Sequence, residues 1–367
     1  MSINSISINK KLDNLDLSNP YQLDSKKKNV FLLDFFKDLG AYHSANCEGY
    51  KNFLGAFSSH GLNWNSLEEI PALPVRLFKM HDLYSVNKKT IVKTLTSSGT
   101  SGQAVSKIYL DADTAKRQSR ILASITKNFI GSSRIPMVII DSIDLLKDRN
   151  NLNARAAGIL GYSLFGRDHF YCLDKDLNLL IPELNDYLAK YSNGPILVFG
   201  FTFVVWQAFI NQAIQNNIKF DFGDQSILIH GGGWKKLVDQ EIDNNLFKKI
   251  LTNQLGIKNI YNYYGMVEQV GSVFMECHKG YLHCPDYADV IIRNTQDLTV
   301  CKKGIEGIVQ VLSILPVSYP GHSLLTEDLG TLHGVDDCAC GRKGKYFTIS
   351  GRMPMAELRG CSDTRSI

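Results

Sequence analysis

The hydroxyl- and glycine-rich segment Thr96–Gly102 is the part of the sequence best suited to chemistry. It contains Thr96, Ser97, Ser98, Gly99, Thr100, Ser101 and Gly102. Strand-forming residues precede it at Ile91-Val92 and follow it at Ser106–Leu110, so we expect a loop between two strands. Glycines let the backbone curl, and hydroxyl and N–H groups form a concave anion site. The glycine spacing is not that of a Walker A loop. The segment predicts a phosphate-binding loop, with a flexible Ser/Gly linker as the alternative.

Two later segments carry residue types that bind flat rings and cations. Three glycines, Gly231–Gly233, end a predicted strand. Ligands of open α/β sheets bind beyond the carboxyl ends of strands, and glycines there let a ring approach the backbone. A tight turn before a helix is the alternative. The segment Tyr263–Glu268 combines aromatic faces with a carboxylate. A tyrosine face can stack on a base, and Mg²⁺ prefers oxygen ligands.

Cysteine and histidine occur in two short clusters about fifty residues apart. The first runs from Cys277 to Cys284 and includes His278 and His283, and the second contains Cys338 and Cys340. Sulfur and nitrogen ligands in two such clusters are typical of a structural zinc site. Free or buried thiols are the alternative. We expect such a metal to join two segments of the chain, not to take part in the chemistry.

Composition favours a globular protein and argues against two other classes. The 367 residues are 44% hydrophobic and carry a formal net charge of +4, so we expect one large or two modest domains. The only run of three basic residues, Lys26–Lys28, fits a solvated face better than a nucleic-acid site. No apolar signal segment opens the chain, and the apolar stretch Phe199–Ile210 is too short to span a bilayer. We therefore expect a soluble, cytoplasmic protein whose cysteines are thiols or metal ligands.

The order of predicted elements indicates an α/β fold. Residues 1–90 are predicted to be mostly helical, with an extended, non-helical crossover at Ile70–Phe78 because of its two prolines. Beyond the loop, strands and helices alternate, which argues for a largely parallel sheet. The strands are predicted at Pro136–Asp141, Pro195–Gly200 and Ser226–His230, and the helices at Ala112–Thr126, Val204–Asn217 and Lys236–Leu255.

Four segments occur in the order found in a known superfamily. They are Thr96–Gly102, Tyr263–Glu268, Leu324–Gly330 and Ile349–Arg352. In this order they resemble the motifs of the adenylate-forming enzymes, the acyl- and aryl-CoA ligases and their relatives. Two residues depart from the family pattern: Val267 replaces a threonine and Glu327 replaces a glycine.

The resemblance implies a function for each motif. It implies that Glu268 binds the Mg²⁺ of ATP. The nucleotide contacts that it implies are Thr96–Gly102 for the phosphates, Gly231, Gly232, Gly233, Tyr264 and Gly265 for adenine, Asp328 for the ribose, and Arg352 for phosphate or ribose. A branch related to phenylacetate-CoA ligase carries similar cysteine elements. By that match the zinc ligands would be Cys277, His283, Cys338 and Cys340, with Cys284 or His278 as substitutes.

The whole chain resembles the LuxE-type acyl-protein synthetases of bacterial fatty acid reductase complexes. This includes the end of the chain, where Arg359, Gly360 and Cys361 lie. The resemblance implies activation of a fatty acid with ATP, transfer of the acyl group to Cys361, and delivery to a reductase partner. A thiolate is a strong nucleophile toward an acyl-adenylate, and Arg359 could favour that thiolate. An incidental cysteine near a frayed end is the alternative.

The implied fold is the adenylate-forming large domain, with mainly parallel sheets flanked by helices and a small β subdomain. Its usual mobile C-terminal domain, which carries a catalytic lysine, would be absent. The expected division is a helical segment at 1–90, an ATP-binding core at 91–352 and a mobile tail at 353–367. Two other functions stay open: a ligase that passes the acyl group to coenzyme A or another small acceptor, and a catalytically dead scaffold for a reductase.

Overall fold

The computed structural model describes residues 5–58, 61–97, 105–147, 154–233 and 242–353. Most of the predicted phosphate loop, Ser98–Gly102, and the predicted acyl acceptor Cys361 lie outside these residues. The described chain forms two compact units. The first unit contains residues 5–97, 105–129 and 265–353, and the second contains residues 130–264 with the gaps given above.

The strands and helices of the described residues are numbered in chain order. The strands are β1 Leu73–Pro74, β2 Ile91–Thr96, β3 Lys107–Asp111, β4 Ile135–Ser142, β5 Gly166–Leu173, β6 Leu197–Phe201, β7 Ile227–Gly231, β8 Asn259–Tyr264, β9 Phe274–Glu276, β10 Leu282–His283, β11 Ala288–Arg293, β12 Glu306–Ser313, β13 Ser323–Val335 and β14 Lys345–Arg352. The α-helices are α1 Ser5–Asp13, α2 Ser25–Asn46, α3 Glu48–Phe57, α4 Leu77–Met80, α5 Ala112–Ile130, α6 Ala154–Ser163, α7 Ile181–Lys190, α8 Thr202–Val204, α9 Asn211–Gln215 and α10 Asn244–Leu255. Short 3-10 turns lie at Leu67–Glu69, Lys88–Thr90, Ile143–Leu146 and Val267–Gln269, and a π-helix at Val205–Ile210 joins α8 to α9.

The second unit is built on a parallel sheet in the order β5-β4-β6-β7-β8. Its central strands are continuous apolar runs because both faces of the sheet are covered. Met137–Ile140 of β4 and Leu197–Phe199 of β6 are fully buried. The three strands predicted in this unit are confirmed within two residues. The carboxyl ends of β7 and β8 carry Gly231 and Tyr264, two of the predicted nucleotide contacts.

The first unit is mostly antiparallel. Its sheet runs β11-β12-β13-β14-β10-β9, and β1 pairs in parallel with β13. A separate hairpin of β2 and β3 presents the predicted phosphate loop. The α/β class is thus confirmed, and most of the parallel pairing lies in the second unit.

The helix predictions hold with three differences. The helix predicted at Ala112–Thr126 is α5, which continues to Ile130. The helix predicted at Val204–Asn217 forms with a π-helical middle. The helix predicted from Lys236 is described as α10, which begins at Asn244, where the Asp243 side chain accepts a 2.7 Å hydrogen bond from the N–H of Leu246. Residues 236–241 of that prediction lie outside the described part of the chain.

The N-terminal ninety residues contain α1 to α4 in their described part. The prediction for Ile70–Phe78 is partly wrong, because α4 begins at Leu77. Proline restricts its own position and the residue before it, so Pro74 leaves Leu77 free to start a helix. None of the helices in the described ranges is long and apolar enough to cross a membrane. The predicted boundaries at residues 90 and 352 stay predictions.

Candidate active site and metal centre

The base of the phosphate-loop hairpin is closed by two serines. The N–H of Ser97 donates to the carbonyl of Ser106 at 3.1 Å, and the N–H of Ser106 donates to Ser97 Oγ at 2.9 Å. Thr96 is the last residue of β2 and pairs with Lys107. These bonds join the two ends of the loop, and the Ser97 hydroxyl is used in this contact as an acceptor.

Glu268 lies beside this hairpin base in the first unit. Its side chain is buried in the turn Val267–Gln269. Gln269 anchors the turn through its side-chain amide, which donates to the carbonyls of Gly321 at 2.9 Å and Val311 at 3.3 Å. Burial raises the pKa of Glu268, and the Ser106 hydroxyl opposes that rise. A carboxylate that burial disfavours gains from a nearby cation, which suits the predicted Mg²⁺ ligand.

Asp328 and Arg352 are paired in the structure. They lie opposite each other on β13 and β14, and Arg352 Nε donates to Asp328 Oδ1 at 2.9 Å. The N–H of Asp328 donates to Thr326 Oγ1 at 3.1 Å, and that hydroxyl donates to the carbonyl of Val309 at 2.7 Å. Arg352 thus orients the carboxylate of Asp328, and Thr326 fixes the backbone that carries it. Its predicted role on the ribose stays a prediction.

The neighbouring Glu327, one of the departures from the family pattern, has a partner in this chain. Its carboxylate forms an ion pair with Arg76, which lies just before α4. The Glu327 side chain is 13% exposed and the Arg76 side chain 52%, so the pair lies at the surface, where solvent screens it. Two adjacent acidic residues therefore each pair with an arginine in the first unit.

The glycine turn of the second unit has little space for side chains. A Cβ on Gly231 would collide with the ring of Tyr263, and Gly232 has φ +95°. These two positions require glycine for close approach and for left-handed backbone, respectively. Thr202 connects the first residue of this turn to the buried His230. Thr202 Oγ1 lies 2.9 Å from His230 Nδ1 and 3.1 Å from the carbonyl of Gly231, to which it donates.

The structure distinguishes the two tyrosines that end β8. The ring of Tyr263 belongs to an aromatic core, 5.1 Å from Tyr162 and stacked at 6.4 Å on Phe199. Successive side chains of a strand point to opposite faces. Tyr264 therefore projects from the other face of the sheet, and its role on adenine stays a prediction.

The four predicted zinc ligands converge in the first unit. The ligand atoms of Cys277, His283, Cys338 and Cys340 all lie within 4.8 Å of one another. Cys277 follows β9, His283 lies in β10, and the other two cysteines lie in the turn between β13 and β14. His283 Nε2 is 3.3 Å from Cys340 Sγ. Cys284 lies outside this group, and its thiol is fully buried near Asp289 and Lys28.

The electrostatics of the four residues suit a soft divalent cation. Burial lowers the pKa of His283 to about 4, so the ring is neutral and can ligate. Burial raises the pKa of Cys277 and raises that of Cys338 to about 12. Burial also acts to raise the pKa of Cys340, but hydrogen bonds from Arg342 and the other two thiols outweigh it and lower the pKa. One cysteine thus favours the thiolate and the others would lose a proton on binding a metal.

Several residues near these sites carry no signal in the sequence. Arg342 lies 4.1 Å from the centre of the Phe129 ring and 5.3 Å from that of Tyr21, and donates to Asn128 at 2.9 Å. It links the cysteine turn to α5 and to the chain before α2. Like Arg76, it is a single basic residue with distant partners, so no spacing rule could have found it.

The fold matches that of adenylate-forming ligases. Two solved structures of 2-hydroxyisobutyryl-CoA ligase illustrate the likeness. The first, in the postadenylation state with R3-HIB-AMP, has a TM-score of 0.69 and 14% identity over 91% of this chain and 69% of that chain. The second, an open conformation with 2-HIB-AMP and CoA, has a TM-score of 0.69 and 15% identity. That match covers 93% of this chain and 78% of the other. This likeness defines the class by fold.

The family model described as acyl-protein synthetase, LuxE, matches residues 2–366. The chain therefore belongs to this family and is a ligase of the acyl-protein synthetase type. It is similar to the long-chain-fatty-acid–luciferin-component ligase of Aliivibrio fischeri, with 26% identity over 299 residues, 79% of this chain and 76% of the relative. It is also similar to the enzyme of that name from Vibrio harveyi, with 23% identity over 365 residues, which is 95% of this chain and 91% of the relative.

Proposed function

We propose that this protein is a cytoplasmic, ATP-dependent fatty-acid ligase that acylates its own Cys361 and delivers the acyl group to a reductase partner. The observation that carries the proposal is the family match across residues 2–366, which includes position 361. The adenylate-forming fold supports the first half of the reaction, and the names of the two bacterial relatives support a long-chain fatty acid as substrate.

In the first step, a carboxylate oxygen of the fatty acid attacks the α-phosphorus of ATP. A new P–O bond forms, the bond to the β-phosphate oxygen breaks, and pyrophosphate leaves. Thr96–Gly102 would bind the phosphates, and Tyr264 would stack on adenine beside Gly231–Gly233 and Gly265. Asp328, oriented by Arg352, would accept hydrogen bonds from the ribose hydroxyls. Glu268 would hold Mg²⁺, which neutralises phosphate charge.

In the second step, the Cys361 thiolate attacks the carbonyl carbon of the acyl-adenylate. The C–S bond forms, the C–O bond to phosphate breaks, and AMP leaves with the electron pair. The thiol proton passes to solvent. AMP is a good leaving group from this mixed anhydride, and the nearby Arg359 would favour the thiolate. The resulting thioester is an activated acyl group suited to reduction by a partner enzyme.

Intact-mass spectrometry tests this proposal. Wild type, Cys361→Ser and Cys301→Ser would be incubated with Mg-ATP and tetradecanoic acid. Cys301 is a partly exposed cysteine remote in sequence from the tail and serves as the matched control. We expect wild type and Cys301→Ser to gain the mass of one acyl group, removable by neutral hydroxylamine, and Cys361→Ser to gain none. A hydroxylamine-sensitive adduct on Cys361→Ser would contradict the assignment of the acceptor.

The likeness to a CoA ligase favours one second candidate, transfer to coenzyme A. In that case the thiol of the product comes from the small molecule, and the mass of the protein does not change. The same incubations with added coenzyme A separate the two. Formation of an acyl-CoA by Cys361→Ser at the wild-type rate would replace the self-acylation proposal with this one.

We also propose that Cys277, His283, Cys338 and Cys340 bind one structural Zn²⁺. Their ligand atoms are close enough for tetrahedral coordination after small side-chain movements. Three cysteines and one histidine are a common ligand set of structural zinc sites. His283 Nδ1 is buried and has no hydrogen-bond partner in the described ranges, whereas Nε2 faces Cys340. Elemental analysis should find about one zinc per chain, retained in Cys301→Ser and lost in Cys338→Ser. Equal zinc in both variants would contradict the site.

A further inference from the structure

Three buried polar groups lie around Glu268 without a hydrogen-bond partner among the described protein atoms. They are Ser106 Oγ, Gln118 Nε2 and Tyr319 Oη. Their residues are 0%, 2% and 0% exposed, respectively. Leaving one such group unsatisfied costs about 1–3 kcal/mol, and most buried polar groups of native proteins have a partner from the protein, an ordered water or a ligand. Three in one place therefore call for an explanation.

The three groups belong to segments of the first unit that lie near the Glu268 turn. Ser106 precedes β3, Gln118 lies on α5, and Tyr319 lies between β12 and β13. Burial raises the pKa of Tyr319, the Glu268 charge raises it further, and the Gln118 side chain acts in the opposite direction. The Ser106 hydroxyl is near enough to lower the pKa of Glu268, although it forms no hydrogen bond of normal geometry within the described chain.

The backbone around these groups leaves little room for the side chains to move away. A Cβ on Gly271, which has φ +90°, would lie 2.8 Å from the Cα of Gln118. A Cβ on Gly321 would lie 2.9 Å from the carbonyl oxygen of Glu268 and collide with the ring of Tyr319. The two glycines thus allow α5 and the Tyr319 loop to pack directly on the Glu268 turn. Gln118 and Tyr319 therefore belong to segments that pack against the Glu268 turn.

We propose that Ser106, Gln118 and Tyr319 are positioning residues, which hydrogen-bond the Glu268 carboxylate when it binds the divalent cation of the nucleotide. This inference rests on the proposed function. A carboxylate that binds a cation through one oxygen keeps lone pairs that need donors, and these three side chains can donate. Hydrogen bonds that are long without a ligand commonly tighten when it binds. The positive charges near the carboxylate, Arg352 and Lys79, add to its stabilisation.

Metal binding in the presence of ATP tests the proposal, with Mn²⁺ as the probe and free Mn²⁺ followed by electron paramagnetic resonance. The variants are Ser106→Ala, Gln118→Met and Tyr319→Phe, each close to the original in shape. Loss of an outer-shell partner typically weakens metal affinity about 10–100-fold, and we expect that range for each variant. Tyr50→Phe is the matched control, because it removes the hydroxyl of another buried tyrosine, which lies 3.1 Å from His322 Nε2. This variant should change Mn²⁺ affinity less than about twofold.

The outcomes separate the failure of this inference from the failure of the proposed function. Unchanged Mn²⁺ affinity in the three variants, with binding lost in Glu268→Gln, would show a packing role only and overturn the inference. If Tyr319→Phe does not fold, Ser106→Ala decides, because it removes a single oxygen atom. A wild-type protein that shows no fatty-acid-dependent ATP–pyrophosphate exchange would instead overturn the proposed function, and this inference with it.

Discussion

Two buried carboxylates of the first unit, Asp289 and Glu268, differ in how their charge is satisfied. Asp289 lies between two lysines, 3.1 Å from Lys345 Nζ and 3.8 Å from Lys28 Nζ, and accepts from the N–H of Val290. The predicted solvated face of Lys26–Lys28 is therefore wrong for Lys28, which this buried carboxylate draws into the interior. Burial acts to raise its pKa, but the lysines outweigh burial and lower it. Burial prevails at Glu268 and raises the pKa.

Under the proposed function, the difference separates a structural charge from a functional one. Asp289 is complete within the protein, so its interactions contribute to stability. Glu268 has no lysine or arginine in an ion pair among the described residues, and three polar groups near its turn lack partners, so we expect its contribution in binding and catalysis. Substitutions at the two positions should therefore have opposite effects on stability and activity.

The largest expected effect on stability is that of Asp289→Asn. The substitution leaves Lys28 and Lys345 without their shared anion in the interior, and breaking a buried pair in this way costs about 3–5 kcal/mol. Urea unfolding should show this loss, while the exchange activity per folded molecule stays within about twofold of wild type. Unchanged stability would contradict the structural role of Asp289.

Glu268→Gln should give the reverse result. Removing the charge that would hold the cation should lower ATP–pyrophosphate exchange about 100-fold, equivalent to about 2.7 kcal/mol. Stability should be equal or higher, because a neutral amide costs less to bury than a carboxylate. A variant that exchanges at the wild-type rate, or that unfolds as readily as Asp289→Asn, would break the comparison.

A buried histidine pair extends the comparison to pH. His43 and His322 stack at 5.0 Å in the first unit. Burial lowers the pKa of His43 to about 3 and that of His322 well below its ordinary value. Both folded pKa values lie below the unfolded value of about 6.5. The contribution of the two neutral rings to the free energy of unfolding is therefore complete above pH 6.5 and is lost as the pH falls. From pH 7 to 5.5 the loss should be about 1.2 kcal/mol per histidine.

The pH dependence is measured by urea unfolding of wild type and His43→Asn. The variant should lose about half of the pair's contribution to the slope of stability against pH, whatever its stability at pH 7. An identical slope in the two proteins would show that these rings are not held neutral by the fold.

The smallest effect is expected for the pair of Arg76 and Glu327. The Arg76 side chain is 52% exposed, and such pairs contribute about 0–1 kcal/mol. Arg76→Ala should therefore change stability by no more than about 1 kcal/mol in urea unfolding. A loss above about 2 kcal/mol would place this pair with Asp289 among the structural charges.

The sequence predicts those parts of the molecule that depend on local pattern. Continuous apolar runs identify β4, β6 and β7, because a strand covered on both faces has little choice of residue. The cysteine clusters indicate the residue types of the proposed metal site, although spacing alone could not separate Cys284 and His278 from the other candidates. The motif order identifies the superfamily before any coordinate is known.

Features made by distant residues were not predictable. Ser106, Gln118 and Tyr319 come from three elements and are ordinary residue types, without a spacing signal that would bring them to Glu268. The partner of Glu327 is Arg76, some 250 positions earlier in the chain. The start of α4 at Leu77 was missed because the effect of Pro74 was extended beyond the residues that it constrains.

The most direct test of the central claim is fatty-acid-dependent ATP–pyrophosphate exchange by wild type and Cys361→Ser. Because activation precedes transfer, both proteins should exchange with tetradecanoic acid at similar rates, although only wild type becomes acylated. Exchange that is lost in Cys361→Ser would contradict the two-step order. No exchange by the folded wild-type protein with any of a series of fatty acids would contradict acid activation itself and favour a scaffold of the same fold.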